Sequence, residues 1–299
     1  MHLARLFLFI LFVGLPLTAV AELNGDDLPA ARWYAHVDLV EMRSSDSGKQ
    51  LYAWLEDEVF DELREEIGFD ADQEANVITA LATPDSGMVV VIDGDFSQKT
   101  EDRIAAVGAA ASDFNTLEYD GKTYFQIEEE SDNPDRNSFD NGAFLSVAIK
   151  NKLIVTSSEE QMQRIFSSNG RIPGDYDNGG ALIVLRGEKS FVQAGMQTNE
   201  VGDDLGWDSN MLRNTEQLAL LVSDDKGMLA VEAQLVASEE QVANSLASIV
   251  RGLISLAAFN DDIDPELTEF LNGTTVDVDG STLTVKVAMD PEALVDAID

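Results

Sequence analysis

The sequence predicts an α+β fold made of two related units, each an antiparallel β-sheet with packed helices. Segments of alternating apolar residues come in pairs joined by turn residues, which is typical of β-hairpins. Amphipathic helical stretches separate these pairs. The hairpin sequence of residues 116–127 also returns, with Thr, Asp, Gly and Thr at the same offsets, in residues 275–286. We therefore expect an internal duplication, in which the two sheets are either separate or joined edge to edge.

The first unit is expected over residues 31–168 and opens with a strand at Arg32–Asp38. A helix over 47–67 follows, because apolar residues recur there at helical spacing. Three strand pairs, a helix and a capping-box helix complete the unit. These elements are expected at 77–83 with 88–92, 100–111, the Asp120-Gly121 hairpin, 144–149 with 153–156, and from Ser158 onward.

The second unit is expected over residues 179–299, after a boundary segment rich in Gly, Asn, Asp and Pro. It repeats the order of elements, and its hairpin is expected to turn at Asp279-Gly280. Within its long helix, residues 249–259 are apolar nearly all round, so we expect a helix buried between sheets. The expected elements are a strand at 181–185, a pair at 218–222 and 228–231, a helix over 238–259, and a closing helix from Pro291.

Residues 1–21 have the features of a signal peptide. Arg5 precedes the apolar run Leu6–Val13, and Ala19-Val20-Ala21 provides a small-x-small cleavage site. We expect cleavage before Glu22 and a periplasmic or secreted protein. No integral membrane segment is expected after cleavage, since the apolar stretch around Arg251 is too short to span a bilayer.

The mature chain is strongly acidic. It holds 18 basic residues, once Arg5 is removed, against 56 acidic ones, a net charge of −38. Such a surface repels nucleic acid and anionic membranes, so neither is expected as a partner. The acids are spread along the chain, which favours a solvated acidic coat over a site for cations or basic partners. The chain has no Cys, which excludes disulfides and thiol chemistry.

Few residues are available for nucleophilic or metal-dependent catalysis. His36 alone remains after signal cleavage, and no Gly-x-Ser-x-Gly elbow or phosphate-binding glycine loop is present. Ser223-Asp-Asp-Lys226 and Ser131-Asp-Asn133 imitate serine acylase motifs, but the first lies in a predicted turn between strands. We interpret His36 as a strand histidine satisfied by a neighbour.

Calcium is the least implausible cofactor, and no other is expected. Asp70, Asp72 and Glu74 place alternating carboxylates in a predicted loop, and similar spacings occur within 175–177 and 261–264. From Asp70 the Gly and Glu positions of an EF-hand loop hold Ala75 and Leu81, and from Asp262 they hold Leu267 and Gly273. N-capping of a helix by Asp72 or Asp264 is the competing interpretation. Trp207, in a polar segment, is the candidate for an exposed partner contact.

The opening stretch Trp33 to Leu39 (Trp-Tyr-Ala-His-Val-Asp-Leu), the two Asp-Gly hairpins and the element order resemble exported bacterial proteins made of tandem α+β units of unknown function. This resemblance covers residues 31–299, includes no catalytic motif and implies no activity. We expect a soluble, non-catalytic binding or scaffold protein of the envelope, whose partner is a protein or envelope component. The alternative is a carboxylate-dependent hydrolase, with or without a hard divalent cation.

Overall fold

The described residues form one antiparallel sheet of 12 strands. The computed structural model describes residues 33–61, 64, 69–83, 87–96, 98–100, 102–103, 106, 114–127, 142–172, 178, 180–189, 214–258 and 273–298. The strands are β1 (Trp33–Asp38), β2 (Ala75–Thr83), β3 (Gly87–Gly94), β4 (Phe114–Tyr119), β5 (Lys122–Ile127), β6 (Ala143–Ser146), β7 (Lys152–Thr156), β8 (Ile183–Glu188), β9 (Thr215–Asp225), β10 (Met228–Ala237), β11 (Thr275–Asp279) and β12 (Thr282–Met289). Their order across the sheet is β11-β12-β10-β9-β8-β1-β2-β3-β7-β6-β5-β4.

The expected fold of two α+β units is wrong, because the described strands form a single antiparallel sheet of 12 strands with short helices, in which β1 and β8 pair with each other. These strands open the two predicted units, and they run antiparallel with Ala35 opposite Leu185 and His36 opposite Val184. The pairing merges the two parts into one continuous sheet with β1 and β8 at its centre. Both strands have the apolar residues of central strands, as shown by Tyr34 and Val184, which are 3% and 0% exposed.

Helices cover both faces of this sheet, but unequally. They are α1 (Leu39–Ser44), α2 (Gly48–Leu55) continued by a π-helical turn (Glu56–Phe60), α3 (Ala71–Glu74), α4 (Glu159–Ser167), α5 (Glu240–Ala258) and α6 (Pro291–Ile298). Successive residues of a strand point to opposite faces, so the cross-strand register assigns each side chain to a face. We call the face that includes Ala35 face 1 and the face that includes Tyr34 face 2.

Face 1 carries most of the described helices. Leu39 of α1, Leu51 of α2 and Leu294 of α6 pack in one cluster with Ala35. At the far end, Leu246 of α5 packs against β11 and β12. Face 2 carries α4, whose Met162, Ile165 and Phe166 pack against Tyr34, Leu81 and Val89.

The expectation that residues 249–259 lie between two sheets is wrong. Helix α5 packs on face 1 of the single sheet, and Leu256 on its outer side is 69% exposed. The sequence is apolar nearly all round here because aliphatic residues lie on the buried side of α5 and also on part of its exposed side. No helix of the described part of the chain is long and apolar enough to cross a membrane.

The two Asp-Gly hairpins differ in register and in position. Asp120 and Gly121 are the two central turn residues between β4 and β5, and both have positive φ angles of 50° and 71°. In the second hairpin Asp279 pairs with Thr282, so Gly280 and Ser281 form the turn. The expected turn at Asp279-Gly280 is therefore displaced by one residue, which exchanges the two faces of the strand. The two hairpins also differ in their place in the sheet. Strand β12 is the neighbour of β10, whereas the corresponding neighbour of β3 is β7 and not β5.

Candidate functional site

The three carboxylates proposed for calcium each have a protein partner. Both carboxylate oxygens of the buried Glu74 lie within 2.6 and 2.7 Å of the Thr100 hydroxyl, which donates to them. Asp72 accepts a hydrogen bond of 3.0 Å from the Tyr52 hydroxyl, and Asp70 forms an ion pair of 3.6 Å with Arg64. No group of three or more acidic or histidine side chains within the described ranges could hold a metal ion.

These carboxylates belong to a structural junction between α3 and the strands. The guanidinium of Arg43 donates to the carbonyls of Asp72 and Ala75 at 2.6 and 2.9 Å and lies 5.4 Å from the centre of the Tyr52 ring. Burial, followed by the hydrogen bond to Asp72, raises the pKa of Tyr52 to about 12. Asp72 therefore accepts a hydrogen bond from a neutral hydroxyl. The interpretation of Asp72 as an N-cap is wrong, because the residue at the N-cap position of α3 is Asp70.

His36 fits a structural role. Its Nδ1 lies 3.2 Å from the Thr79 hydroxyl on the neighbouring strand, and its ring is nearly parallel to that of Tyr34 at 6.4 Å. Burial lowers the pKa of His36, while Asp38 and Asp93 act in the opposite direction. The imidazole is therefore neutral near pH 7, and the interpretation of a strand histidine satisfied by a neighbour is confirmed.

A surface groove lies between α4 and the outermost hairpin on face 2. Its volume is about 480 Å³. We call it the hairpin groove, and the described residues that line it are Tyr119, Glu160, Gln163, Arg164, Ser167 and Ser168. Tyr119 lies on one wall of the groove, and the α4 residues on the other wall are more than 40 positions away in the sequence. Only the folded sheet brings the two walls together.

Helix α4, which forms one wall, is held firmly on the sheet. The Ser158 hydroxyl accepts from the backbone N–H of Gln161 at 3.3 Å, which confirms the predicted capping position. The Tyr124 hydroxyl donates to Glu159 at 2.6 Å, and the Tyr124 and Phe166 rings meet edge to face at 5.7 Å. These contacts fix the helix, and with it one wall of the groove, relative to β5.

The outer side of α4 gives the groove a mixed polar character. Arg164 forms an exposed ion pair of 2.6 Å with Glu160, one helical turn away. The Ser167 hydroxyl donates to the Gln163 carbonyl at 2.8 Å, which leaves its lone pairs directed outward. Together with Tyr119, the groove presents donors, acceptors and an aromatic ring, which suits binding of a polar ligand. A glycosidase-type mechanism requires two carboxylates, and Glu160 is the carboxylate among the described lining residues.

Sequence reasoning did not find the hairpin groove. The capping box at Ser158 located α4, and Glu160, Gln163, Arg164 and Ser167 recur at helical spacing on its polar side. That pattern is shared by most solvated helices, so it carried no specific signal. Trp207, Ser131-Asp-Asn133 and the acidic spacings within 175–177 and 261–264 lie outside the described residues.

Comparisons with known proteins show a shared fold. No family model matches the chain, and no curated protein matches its sequence. The structure is similar to two crystal forms of TP0453, with TM-scores of 0.51 for form III and 0.52 for form IV. In both cases the sequence identity is 10% and the match covers 90% of this chain, with 94% and 92% of TP0453 covered. At this identity the likeness concerns the fold alone.

Proposed function

We propose that the chain is an exported, non-catalytic binding protein of the bacterial envelope that contacts a partner protein through the hairpin groove. The observation that carries this proposal is the groove itself, a polar and partly aromatic cleft on a rigid support. The signal-peptide features of residues 1–21 support export to the periplasm or beyond.

The chemistry of the groove favours a polypeptide ligand. Glu160 and Arg164 are 63% and 57% exposed, so both retain the capacity for further charged hydrogen bonds. Gln163 and the serine hydroxyls match backbone amide and carbonyl groups of a bound chain. Tyr119 adds the large, low-entropy contact surface that is enriched in protein interfaces.

The proposal is tested by site-specific crosslinking, which the absence of native Cys makes clean. Ser167→Cys, labelled with a photo-crosslinker, places the probe in the groove. Ser245→Cys on α5 is the matched control, because Ser245 is also an exposed helical serine whose hydroxyl donates 2.8 Å to a carbonyl one turn before it.

After irradiation in envelope extract, we expect the Ser167 probe to capture one discrete protein. Unlabelled wild-type chain should compete for this product, and the Ser245 probe should not form it. An identical set of products from both probes, or products that wild-type chain does not displace, would overturn the proposal.

A further inference from the structure

The sheet has two outer strands, and the geometry of the β4–β5 turn shows which backbone groups of β4 face outward. Positive φ angles at both Asp120 and Gly121 are those of a two-residue type I′ turn. Tyr119 and Lys122, which flank the turn, are then a hydrogen-bonded pair, and such pairs alternate along an antiparallel ladder. The N–H and C=O groups of Thr116 and Glu118 therefore point away from β5.

This outer edge of β4 is accessible. Thr116 and Glu118 are both exposed, and β4 pairs with β5 alone among the described strands. Glu118 forms no ion pair with a described residue, unlike Asp120, which lies 3.5 Å from Lys122. Within the part of the chain that the structure describes, the edge thus combines backbone groups without a strand partner and a carboxylate without an ion-pair partner.

The opposite edge, β11, is covered at one position. The same alternation from the Asp279–Thr282 pair directs the backbone groups of Val276 and Val278 outward. Arg251 of α5 occupies that position, since its guanidinium donates to the Val276 carbonyl at 2.6 Å. A charged side chain over an edge strand is a known protection against strand pairing, and no described residue provides this protection at β4.

We infer that β4 is a docking strand for an extended, basic segment of a partner protein, which adds to the sheet beside the hairpin groove. Backbone hydrogen bonds to Thr116 and Glu118 would supply affinity, and a Lys or Arg opposite Glu118 would supply a cross-strand ion pair. A second copy of the chain is disfavoured as the occupant, because two chains of net charge −38 repel each other.

This inference rests on the proposed function in that it assumes a protein partner, and it specifies how that partner binds. The partner strand would lie next to Leu117 and Tyr119, whose side chains share face 2 with the groove. Side chains that follow the docked segment can therefore reach the groove residues of α4.

The test measures fluorescence anisotropy of a labelled eight-residue peptide of alternating Lys and Thr. We expect the wild-type chain to bind it, and Thr116→Pro to weaken binding at least tenfold, because proline removes an outward N–H that an edge strand can spare. Glu118→Lys should weaken binding by a similar factor. Asp277→Lys, the same charge change on the exposed face of β11, is the matched control and should leave binding within about twofold.

Equal weakening by Asp277→Lys, or full binding to Thr116→Pro, would show unspecific charge attraction and overturn the inference. Circular dichroism verifies that each variant folds. If Thr116→Pro does not fold, the peptide affinities of Glu118→Lys and Asp277→Lys are compared, and only a weaker affinity of Glu118→Lys supports the inference. Failure of the proposed function is distinguishable: the Ser167 probe then captures no partner even where the peptide binds β4. Capture that persists undiminished in Glu118→Lys overturns the docking strand alone.

Discussion

The β4 end and the β11 end of the sheet are built from the same parts and yet present different surfaces. Each ends in a hairpin with one adjacent helix, α4 on face 2 and α5 on face 1. At the β4 end the helix packs through aromatic contacts, and no described strand or helix covers the strand edge. At the β11 end the helix packs through aliphatic contacts and Arg251 closes the edge.

This difference shows that protection of an edge and packing of a helix are separate properties. Helix α4 contributes a deep core and a polar outer wall, and it reaches no outward group of β4. Helix α5 packs in a smaller core with three buried residues, Leu246, Ala247 and Leu283, but it extends a guanidinium to the outermost strand. The β4 end is therefore suited to binding, and the β11 end to excluding partners.

The largest expected effect is on the free energy of unfolding, when the cores under α4 and α5 are truncated. Phe166→Ala should lower the free energy of unfolding by about 3–5 kcal/mol, because Phe166 is 1% exposed and packs edge to face on Tyr124. Leu246→Ala at the other end should cost about 2–3 kcal/mol, since its smaller cluster can relax toward solvent. Urea denaturation measures both, and equal losses would show that the two ends are packed alike.

A smaller effect is expected from Tyr124→Phe, which removes the hydrogen bond to Glu159. The loss should be about 1 kcal/mol near neutral pH. Burial, then the bond to Glu159, raises the pKa of Tyr124, so its stabilising contribution is full below pH 10 and lost as pH rises through the folded-state pKa. The difference between the two proteins should shrink in that alkaline range.

The control for this variant is Tyr119→Phe, whose hydroxyl has no hydrogen bond to a described residue. It should unfold at the wild-type urea concentration. If Tyr119→Phe were as destabilising as Tyr124→Phe, loss of any hydroxyl on this hairpin would explain the result, and the Glu159 bond would not be what fixes α4.

Asp224→Asn tests whether the contact between β9 and the start of α2 stabilises the fold. Asp224, near the end of β9, accepts from the Ser47 hydroxyl at 2.5 Å and from the Ser47 N–H at 3.1 Å, which ties this part of the sheet to the start of α2. These bonds hold the pKa of Asp224 below its ordinary value of 3.8. A lowered carboxyl pKa stabilises the fold above pH 3.8, and this stabilisation is lost as pH falls through the folded-state value.

Thermal unfolding should therefore begin at a lower temperature in Asp224→Asn than in wild type at pH 7, with the difference vanishing in strong acid. Asp225→Asn is the matched control, because the Asp225–Lys226 pair is exposed and contributes little. A difference between wild type and Asp224→Asn that persists unchanged at pH 2 would contradict the assigned role.

The smallest effect on stability, within about 0.5 kcal/mol, is expected for Arg251→Met. This change removes the donor from the Val276 carbonyl and should open the second edge. The Lys-Thr peptide should then bind with a stoichiometry of two in place of one. Arg251→Lys, which keeps a donor, should retain the stoichiometry of one, and the same value for Arg251→Met would show that the guanidinium does not protect β11.

Local elements were predictable where the signal was local. The strand pair β2–β3, the Asp120-Gly121 turn and the capping position at Ser158 all follow from backbone preferences of neighbouring residues. The turn at Gly280-Ser281 was missed by one residue, because an Asp-Gly pair is compatible with either register of the hairpin.

The candidate site was not predictable, since its parts are recruited from distant segments. The sequence pointed to Asp70, Asp72 and Glu74, yet Arg64, Tyr52 and Thr100 engage these carboxylates. The hairpin groove needs Tyr119 and α4 side by side, and nothing in either segment specifies the other.

The amino-acid sequence by itself determined the acidic surface, the absence of Cys, the alternation of hairpins with helices and the features of export. Tertiary structure alone decided that β1 pairs with β8, that Arg251 bonds to the edge strand β11, and where the groove lies. The physical reason is that alternation of apolar residues specifies a strand and its faces, while any other strand of suitable pattern can serve as its neighbour. Which strand becomes the neighbour depends on how the whole sheet is buried under its helices, and no single segment determines that burial.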